Sequence, residues 1–438
     1  MNVHHALADT IETSTASTPR LYAWCVFALS FGLLISDYMS RQVLNAIFPL
    51  LKSEWALSDS QLGLLSGIVG LMVGLLTVPM SLMADRWGRV RSLVLMAAIW
   101  SLATLGSGFA QNYQHMLLAR SLVGIGEAAY ASVGVAVVLS VFPKQMRATL
   151  ISTFMAGAMF GSVLGMALGG IIAAHLGWRS AFIVMAIFGL TLAIIYPLVV
   201  KERRLGNCTQ TANQHAEANG KSPLRSLFAS RSVISAYIGS GLQMFIGASL
   251  IAWLPSYLNR YYHMGTDRAG MISAVLILAG GAGMILCGIL SDRLCRKAPE
   301  RKISLAVAYC LITSLLLSAA MLLPPGVAQL VVIALAMLVV TGTFGPAGAA
   351  IANLTHPSVH GTAFAILALS NNLLGQGPGP YVTGLLADAF GLDRAFQMIP
   401  LISIAAALVF CYGKRHYQRD IQKLMPTVAG ATPAGRMS

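Results

Sequence analysis

Long apolar stretches alternate with short polar breaks along the whole chain. Each stretch contains about 20 residues or more, which is the length that a helix needs to cross a bilayer. Six stretches precede the polar segment 201–230 and six follow it. The apolar stretches lie near 21–46, 60–84, 91–111, 115–141, 147–175, 179–200, 232–258, 267–291, 303–323, 327–352, 358–387 and 394–413. The pattern predicts an all-α integral membrane protein with twelve transmembrane helices.

The polar breaks also predict how the chain is divided. The expected segments are an N-terminal tail at 1–20, a six-helix half at 21–200, a linker at 201–230, a second six-helix half at 231–414 and a C-terminal tail at 415–438. Composition agrees with a membrane location, because 56% of the residues are hydrophobic and only 10% are charged. Soluble domains carry about 25% charged residues.

The basic residues predict the orientation. With twelve spans both termini lie on one side, and if that side is the cytoplasm, its segments hold 22 of the 29 Lys and Arg. Five lie on external loops and two lie within spans. Positive charge collects on the cytoplasmic side of membrane proteins, so we expect cytoplasmic termini in a multi-pass protein of the cell inner (plasma) membrane. The net charge of +14 then reflects topology rather than a nucleic-acid partner. The expected partners are the lipid bilayer and a small-molecule substrate, and we expect a monomer.

The two halves repeat each other. "SLMADRWGRVR" (81–91) follows the second span and "GILSDRLCRK" (288–297) follows the eighth, with the aspartates 207 residues apart. "GWRSAF" (177–182) and "GLDRAF" (391–396) follow the fifth and eleventh spans at an offset of 214. Matches in the same order at a nearly constant offset indicate a tandem repeat. Two parallel halves are a known transporter architecture.

These motifs resemble the major facilitator superfamily, together with "RSLVGIGEA" (120–128) in the fourth span. The resemblance implies the major facilitator fold of two six-helix pseudo-repeats. It also implies that the repeated loops act as gating latches, in which an aspartate at a helix end faces an arginine cluster and a neighbouring helix N-terminus. The gating-loop residues are Asp85, Arg86, Gly88, Arg89, Asp292 and Arg293. The alternative is that these arginines only mark the cytoplasmic side.

Within the superfamily the chain looks most like the spinster-like branch. The segments that carry this resemblance are "LSDSQLGLLSG" (57–67), "GIGEAAY" (124–130) and "SNNLLGQGPGPYVTGLLAD" (370–388). The organic anion–cation symporter branch is the second most similar. Both families usually have Asp directly before the first-span arginine. Here Ser40 precedes Arg41, and the acid lies one turn earlier at Asp37.

Four ionisable residues fall well inside the predicted spans: Asp37, Arg41, Arg120 and Glu127. Spacings of four and seven residues place each pair on one helix face. The rise of ~1.5 Å per residue puts both arginines near the outer ends of their spans and both acids nearer the midplane. We therefore expect one buried, charge-balanced cluster facing a central cavity. Intramembrane charges usually mark substrate or proton pathways, so Glu127 and Asp37 are predicted to couple protons, and Arg41 and Arg120 to bind substrate. The alternative is a fixed salt bridge between two helices.

The C-terminal half has no acid within a span, and its polar residues are amides and a tyrosine. Such groups orient a ligand without binding protons. The predicted substrate-binding residues of this half are Gln243, Asn371, Asn372, Gln376 and Tyr381. For each of them, hydrogen bonding between helices is the alternative.

Glycine and proline predict special behaviour in spans five and eleven. Gly157, Gly161 and Gly165 recur at four-residue spacing, which permits close helix contact and suits a sliding seam between the halves. Pro378 and Pro380 are expected to kink or break span eleven. The proton-driven drug exporters of the superfamily that the chain resembles carry a Gly-Pro pair in span five. This chain has none there, which counts against drug efflux.

These observations predict a secondary active transporter working by alternating access. The expected cargo is an organic anion or an anionic amphiphile, with a proton as the coupling ion and no cofactor or metal. An enzyme is not expected, because the sequence has no phosphate-binding loop and no nucleophilic or metal-binding constellation. The first alternative is a proton-driven drug or metabolite efflux pump. The alternative of another class is a non-transporting membrane receptor, which an uptake assay in proteoliposomes would distinguish.

Overall fold

The computed structural model describes residues 20–143, 146–202, 228, 230–295, 301–356 and 359–429. Side chains are described for these residues except 85, 147, 148 and those beyond 422. Secondary structure in this part of the chain is helical, with no strand. The predicted tail at 1–20 and linker at 201–230 lie almost entirely outside the described residues.

The N-terminal half contains eight helices. They are α1 Arg20–Ala46, α2 Phe48–Trp55, α3 Asp59–Trp87, α4 Arg89–Gly108, α5 Tyr113–Glu127, α6 Tyr130–Val141, α7 Arg147–Leu176 and α8 Trp178–Val199. The short α2 lies between the first two predicted spans. The fourth predicted span is divided into α5 and α6 by a two-residue turn at 128–129, directly after Glu127.

The C-terminal half contains nine α-helices among the described residues. They are α9 Arg231–Tyr262, α10 Thr266–Leu294, α11 Arg301–Leu322, α12 Val327–Val340, α13 Phe344–Leu354, α14 His360–Ser370, α15 Pro378–Phe390, α16 Leu392–Met398 and α17 Pro400–Ala429. A 3₁₀ turn, Thr341–Thr343, joins α12 to α13. A π-helical segment, Asn371–Gln376, joins α14 to α15. Helix α17 continues past residue 414, where the tail was predicted to begin.

The predicted fold class is confirmed. In the described part of the chain, eleven helical stretches are long and apolar enough to cross a membrane. The remaining predicted span is the run α14–π–α15, which is interrupted where the prolines predicted a break. Local sequence sets several helix ends. Ser58 and Gln61 form a capping box at the start of α3, and Gly177 and Gly391, equivalent positions of the repeat, adopt positive φ angles before α8 and α16.

The two halves contact each other along α3 and the π–α15 segment. A Cβ atom at Gly63 or Gly67 would overlap the carbonyl oxygen of Pro380 or Gly377, so only glycine permits this backbone approach. The contact continues to the beginning of α3, where Gly384 lies against Asp59. On the predicted topology this is the outer end of the molecule.

The glycine ladder of span five does not form the seam between the halves, which corrects that expectation. Gly157, Gly161 and Gly165 lie against Phe31, Ile35 and Met39 of α1, within the N-terminal half. The ladder therefore lets α1 and α7 pack closely. Helix α7 meets α10 of the other half through other residues, from Met159 beside Gly281 to Gly170 beside Gly270.

Candidate functional site

One face of α1 lines a central cavity between the halves. Tyr38, Arg41, Gln42 and Asn45 follow one another at helical spacing and all contact the same space. The cavity has a volume of about 140 Å³. Residues of five other elements complete it: Ser66, Val69 and Gly70 of α3, Arg120 of α5, Ser162 of α7, Met244, Ala248 and Ile251 of α9, and Gln376 and Pro380 at the break in span eleven.

Arg41 connects the two halves at this cavity. Its Nε and Nη2 atoms each lie 2.7 Å from Oε2 of Glu127, and its Nη1 donates to Oε1 of Gln376 at 2.9 Å. Its side chain is 15% exposed, whereas that of Glu127 is fully buried. The sequence suggested Asp37 as the neighbour of Arg41 along the helix. The ion pair instead crosses from α1 to α5, because Glu127 at the end of α5 faces Arg41.

Arg120 is almost completely buried, with 1% of its surface exposed. Its Nη1 donates to the backbone oxygen of Ser40 at 3.0 Å. Its Nε has no hydrogen-bond partner among the described residues. Although it was expected to share a face with Glu127, it forms no ion pair with that residue. A buried donor without a partner is costly, so this guanidinium is available to an anion in the cavity that it lines.

The two carboxylates lie behind the guanidiniums and do not line the cavity. Asp37 is 4% exposed and interacts electrostatically with Glu127, Arg41 and Arg120. Asp37 Oδ1 and Glu127 Oε1 accept no hydrogen bond from the described residues. All four predicted charges therefore meet in one cluster with balanced formal charge. A ligand in the cavity faces the cations, and Glu127 holds Arg41 from behind.

Of the predicted amides, only Gln376 reaches the cavity. Gln243 is buried inside the C-terminal half, where its Nε2 donates to Thr313 Oγ1 at 3.2 Å and its Oε1 accepts from Ser403 Oγ at 2.9 Å. These bonds join α9, α11 and α17. The helix-packing alternative describes Gln243.

Asn371, Asn372 and Tyr381 also lie away from the cavity lining. Asn371 Oδ1 accepts from Ser240 Oγ at 2.9 Å, and Asn372 Nδ2 donates to the carbonyl of Ala368 within its own helix. Tyr381 lies near Gly63 in the close contact between the halves, one turn further out than Gln376.

Sequence reasoning missed the two amides that α1 contributes to the cavity, Gln42 and Asn45. Asn45 Nδ2 donates to Gln42 Oε1 at 2.7 Å, and Asn45 Oδ1 has no partner among the described residues. Their spacing from Arg41 and Tyr38 on α1 was the available signal, since all four recur on one helix face. That periodicity was read only for the charged residues.

A polar lock joins the halves at the outer end. Asp59, 2% exposed, accepts from Lys52 at 2.6 Å and from both terminal nitrogens of Arg260 at 2.8 and 2.5 Å. Asp388 of α15 accepts from the backbone N–H groups of Asp59 and Ser60 at 2.7 and 2.8 Å, which places a carboxylate at the positive end of α3. We call Lys52, Asp59, Arg260 and Asp388 the outer lock. The sequence analysis did not identify it.

The first predicted gating loop is bound by a carboxylate that the sequence analysis did not anticipate. Gly88, with φ of 95°, ends α3 and precedes α4. Glu202, beyond the end of α8, accepts from the N–H groups of Arg89 and Val90 at 2.9 and 2.7 Å. A carboxylate thus caps the N-terminus of α4, but it comes from Glu202. The side chain of Asp85 lies outside the described residues.

Asp292 and Arg293 of the second predicted gating loop lie in the last turn of α10. Asp292 Oδ1 lies 2.8 Å from Lys302 Nζ at the start of α11. The segment between them, 296–300, is outside the described residues. Asp292 therefore pairs across the loop with a lysine rather than within the motif.

Two repeated six-span halves that enclose a charged central cavity and lock together at one end define a membrane transporter. The sequence matches the Major Facilitator Superfamily over residues 30–375. The chain belongs to this family, whose members move solutes and are not enzymes.

Similar proteins include a transporter of a sugar acid and proteins of the spinster-like branch. A probable L-galactonate transporter of Escherichia coli (strain K12) is 26% identical over 435 residues, covering 95% of this chain and 94% of the relative. A sphingosine-1-phosphate transporter, SPNS2 of Danio rerio, is 25% identical, covering 87% and 80%. The crystal structure of a bacterial homolog of the human lysosomal transporter spinster, inward-facing and occupied, superposes with a TM-score of 0.82 at 21% identity, covering 92% and 99%. The resemblance to the spinster-like branch is confirmed.

Proposed function

We propose that this transporter moves an organic anion across the cell inner membrane together with a proton, by alternating access. One observation carries the proposal: the guanidinium that lines the cavity, Arg41, is held by a fully buried carboxylate, Glu127, that does not line it. Protonation of Glu127 removes the charge that Arg41 pairs with. Arg41 then offers Nε and Nη2 as a planar pair of donors, which suits a carboxylate.

The exchange of partners couples the two ions. Without a proton, Arg41 stays on Glu127 and an anion must compete with a buried charge. With a proton, the anion takes the place of the carboxylate, so proton and anion bind together. Arg120 adds a second guanidinium with an unpaired Nε. Asp37 carries an orphaned oxygen next to Glu127 and can share the proton.

The lining favours a small, hydroxylated acid. Beside the two arginines it offers the amides of Gln42, Asn45 and Gln376 and several hydroxyl groups. Amides and hydroxyls can each donate to or accept from a substrate hydroxyl. The volume of about 140 Å³ is below the range of roughly 300–1,000 Å³ that holds drug-sized ligands. Galactonate, which a relative is named for transporting, is an acid of this kind. Sphingosine-1-phosphate, named for another relative, has an anionic head but a long chain that this lining does not match.

The outer lock supports an inward-facing state. Contacts between α3 and α15 reach the outer end at Asp59 and Gly384. At the other end of α3, Leu75, Val78 and Leu82 are more than half exposed. Opening of the outer end would then require the outer lock to break while the inner ends of the two halves close. Glu202 and Asp292 lie at the loops that would move.

The proposal is tested by Glu127→Gln in proteoliposomes. The assay measures uptake of labelled L-galactonate and a panel of sugar acids, with and without an inward proton gradient, and sphingosine-1-phosphate in a separate arm. The neutral amide keeps Arg41 free, so we expect exchange of internal for external substrate to continue and gradient-driven accumulation to disappear.

The control variant is Glu54→Gln, which removes a carboxylate that pairs with Arg179 at the outer surface. It should leave accumulation unchanged. Accumulation of substrate by Glu127→Gln at the level of the parent protein would refute proton coupling at this site. Preference for sphingosine-1-phosphate over every sugar acid would refute the substrate class.

A further inference from the structure

A second cavity lies at the inner end of the C-terminal half, far along the helices from the outer lock. Its volume is about 720 Å³, and it is an open pocket lined by the end of α10, the beginning of α11 and the cytoplasmic part of α17. Arg301 and Lys414 line it from α11 and α17. Leu294 and Leu305 supply apolar walls. On the predicted topology the cavity opens where the membrane meets the cytoplasm.

The two cations of this cavity have no acidic partner among the described residues. The ion pairs of this region use other groups, since Lys302 pairs with Asp292 at 2.8 Å. Asp420, on the same helix as Lys414, accepts from the hydroxyls of Ser230 and Ser232. Arg301 and Lys414 are both exposed. Within the part of the chain that the structure describes, the cavity therefore presents positive charge without an acidic partner at the level of lipid headgroups.

An apolar surface continues from the cavity toward the membrane interior. Helices α11 and α17 run antiparallel side by side, joined by bonds from Ser314 Oγ to the carbonyl of Pro400 and from Ser403 Oγ to that of Cys310. Beyond the cavity, Leu315 of α11 is 70% exposed and Leu408 of α17 is 66% exposed. The same two helices thus provide a charged pocket at the membrane surface and an apolar surface toward the membrane interior.

We propose that this cavity binds the headgroup of an anionic phospholipid of the cytoplasmic leaflet. The phosphate lies between Arg301 and Lys414, and the acyl chains follow the exposed faces of α11 and α17. Basic pockets between transmembrane helices on the cytoplasmic side suit such headgroups. The combination of cationic pocket and continuous apolar surface matches a phospholipid better than a free phosphate ion, which has no use for the apolar part.

The position of the cavity gives the lipid an effect on transport. Leu294 and Cys295 end α10, and Arg301 begins α11, so the lining includes both ends of the second gating loop. A bound headgroup holds these ends together. The lipid therefore favours one relative position of the end of α10, which carries Asp292 and Arg293, and the beginning of α11, independently of which substrate the central cavity takes.

The test uses the full-length protein in nanodiscs of phosphatidylcholine with one-fifth phosphatidylglycerol, followed by native mass spectrometry of retained lipids. The double variant Arg301→Gln with Lys414→Gln is compared with a double variant, Arg415→Gln with Arg419→Gln, that removes two exposed charges of α17 outside the lining. Each basic group near a membrane contributes about 1 kcal/mol of attraction. We expect the first variant to bind phosphatidylglycerol about thirtyfold more weakly and the second to bind like the parent.

Equal weakening in both double variants would overturn the site, because it would reduce the effect to general surface charge. Protection against thermal unfolding by millimolar inorganic phosphate, equal to that from phosphatidylglycerol, would overturn the lipid assignment. If the first variant unfolds, the exchange Arg301→Lys with Lys414→Arg keeps both charges and should retain phosphatidylglycerol. Two results together would also contradict the proposal. They are loss of the lipid by the folded charge-exchange variant and retention of the lipid by the single variant Arg301→Gln.

Discussion

Arg260 closes the outer end, and its replacement should open it. Both terminal nitrogens of Arg260 bond to Asp59, so this one side chain joins α9 of the C-terminal half to α3 of the N-terminal half. Charge-assisted hydrogen bonds contribute about 1.5–3 kcal/mol each. Asp59 keeps Lys52 as a partner in Arg260→Gln, so we take ~2 kcal/mol as the net loss of stabilising free energy. Only the outer-closed state loses this free energy. The ratio of outer-open to outer-closed protein should rise about thirtyfold.

The assay is the distance between spin labels at Ser53 and Ala389, two exposed residues at the outer ends of opposite halves, in a cysteine-free background. The matched control is Arg179→Gln. Arg179 is also an external arginine in an ion pair, at 2.8 Å from Glu54, but both partners belong to the N-terminal half. A longer distance population should appear in Arg260→Gln and remain absent in Arg179→Gln. Identical distance distributions in the parent and Arg260→Gln would refute the lock.

Three further variants test the site and its supports. Arg41→Lys should lower the affinity of purified protein for its anion at least tenfold with little change in melting temperature, because an ammonium lacks the planar fork; binding retained alongside a large drop in melting temperature would make Arg41 structural. Glu202→Gln should slow turnover while the KM stays constant, because the N-terminus of α4 loses its anion; a raised KM in the uptake assay would contradict this. Gly67→Ala should lengthen the distance between the same spin labels, because its Cβ overlaps the Gly377 carbonyl; an unchanged distance would show that the seam adapts.

The fold could be predicted because membrane spans are long and obey a simple rule. Each needs about 20 apolar residues, and the polar breaks of this chain are clear. The same rule exposed the four buried charges, since each stood out against an apolar background. Their pairing could not be predicted, because helix spacing shows which residues share a face but not which helix lies opposite. Asp37 and Glu127 were equally available to Arg41 in sequence, and the crossing of α1 and α5 selects Glu127.

The roles of the amides were harder to predict for a related reason. An amide in a span hydrogen-bonds to whatever polar group it meets, and the chain has many serines and threonines within its helices. Gln243 meets Thr313 and Ser403 inside one half, while Gln376 meets Arg41 across the halves. The two glutamines look alike in sequence. Only the contact between the halves separates a residue that holds helices together from one that touches the cavity.

Two of the interruptions within the predicted spans coincide with partners of Arg41. Helix α5 stops at Glu127, and the π segment ends at Gln376. In the π segment the Gly377 N–H bonds to the Asn372 carbonyl, five residues back, at 2.9 Å, and the prolines that follow supply no N–H to continue the regular ladder. A π turn shifts the residues after it around the helix axis, which turns Gln376 toward the cavity. Helix ends and π turns are also the places where a helix can bend. The exchange of partners that we propose for Arg41 would therefore take place at two points where the helices can bend.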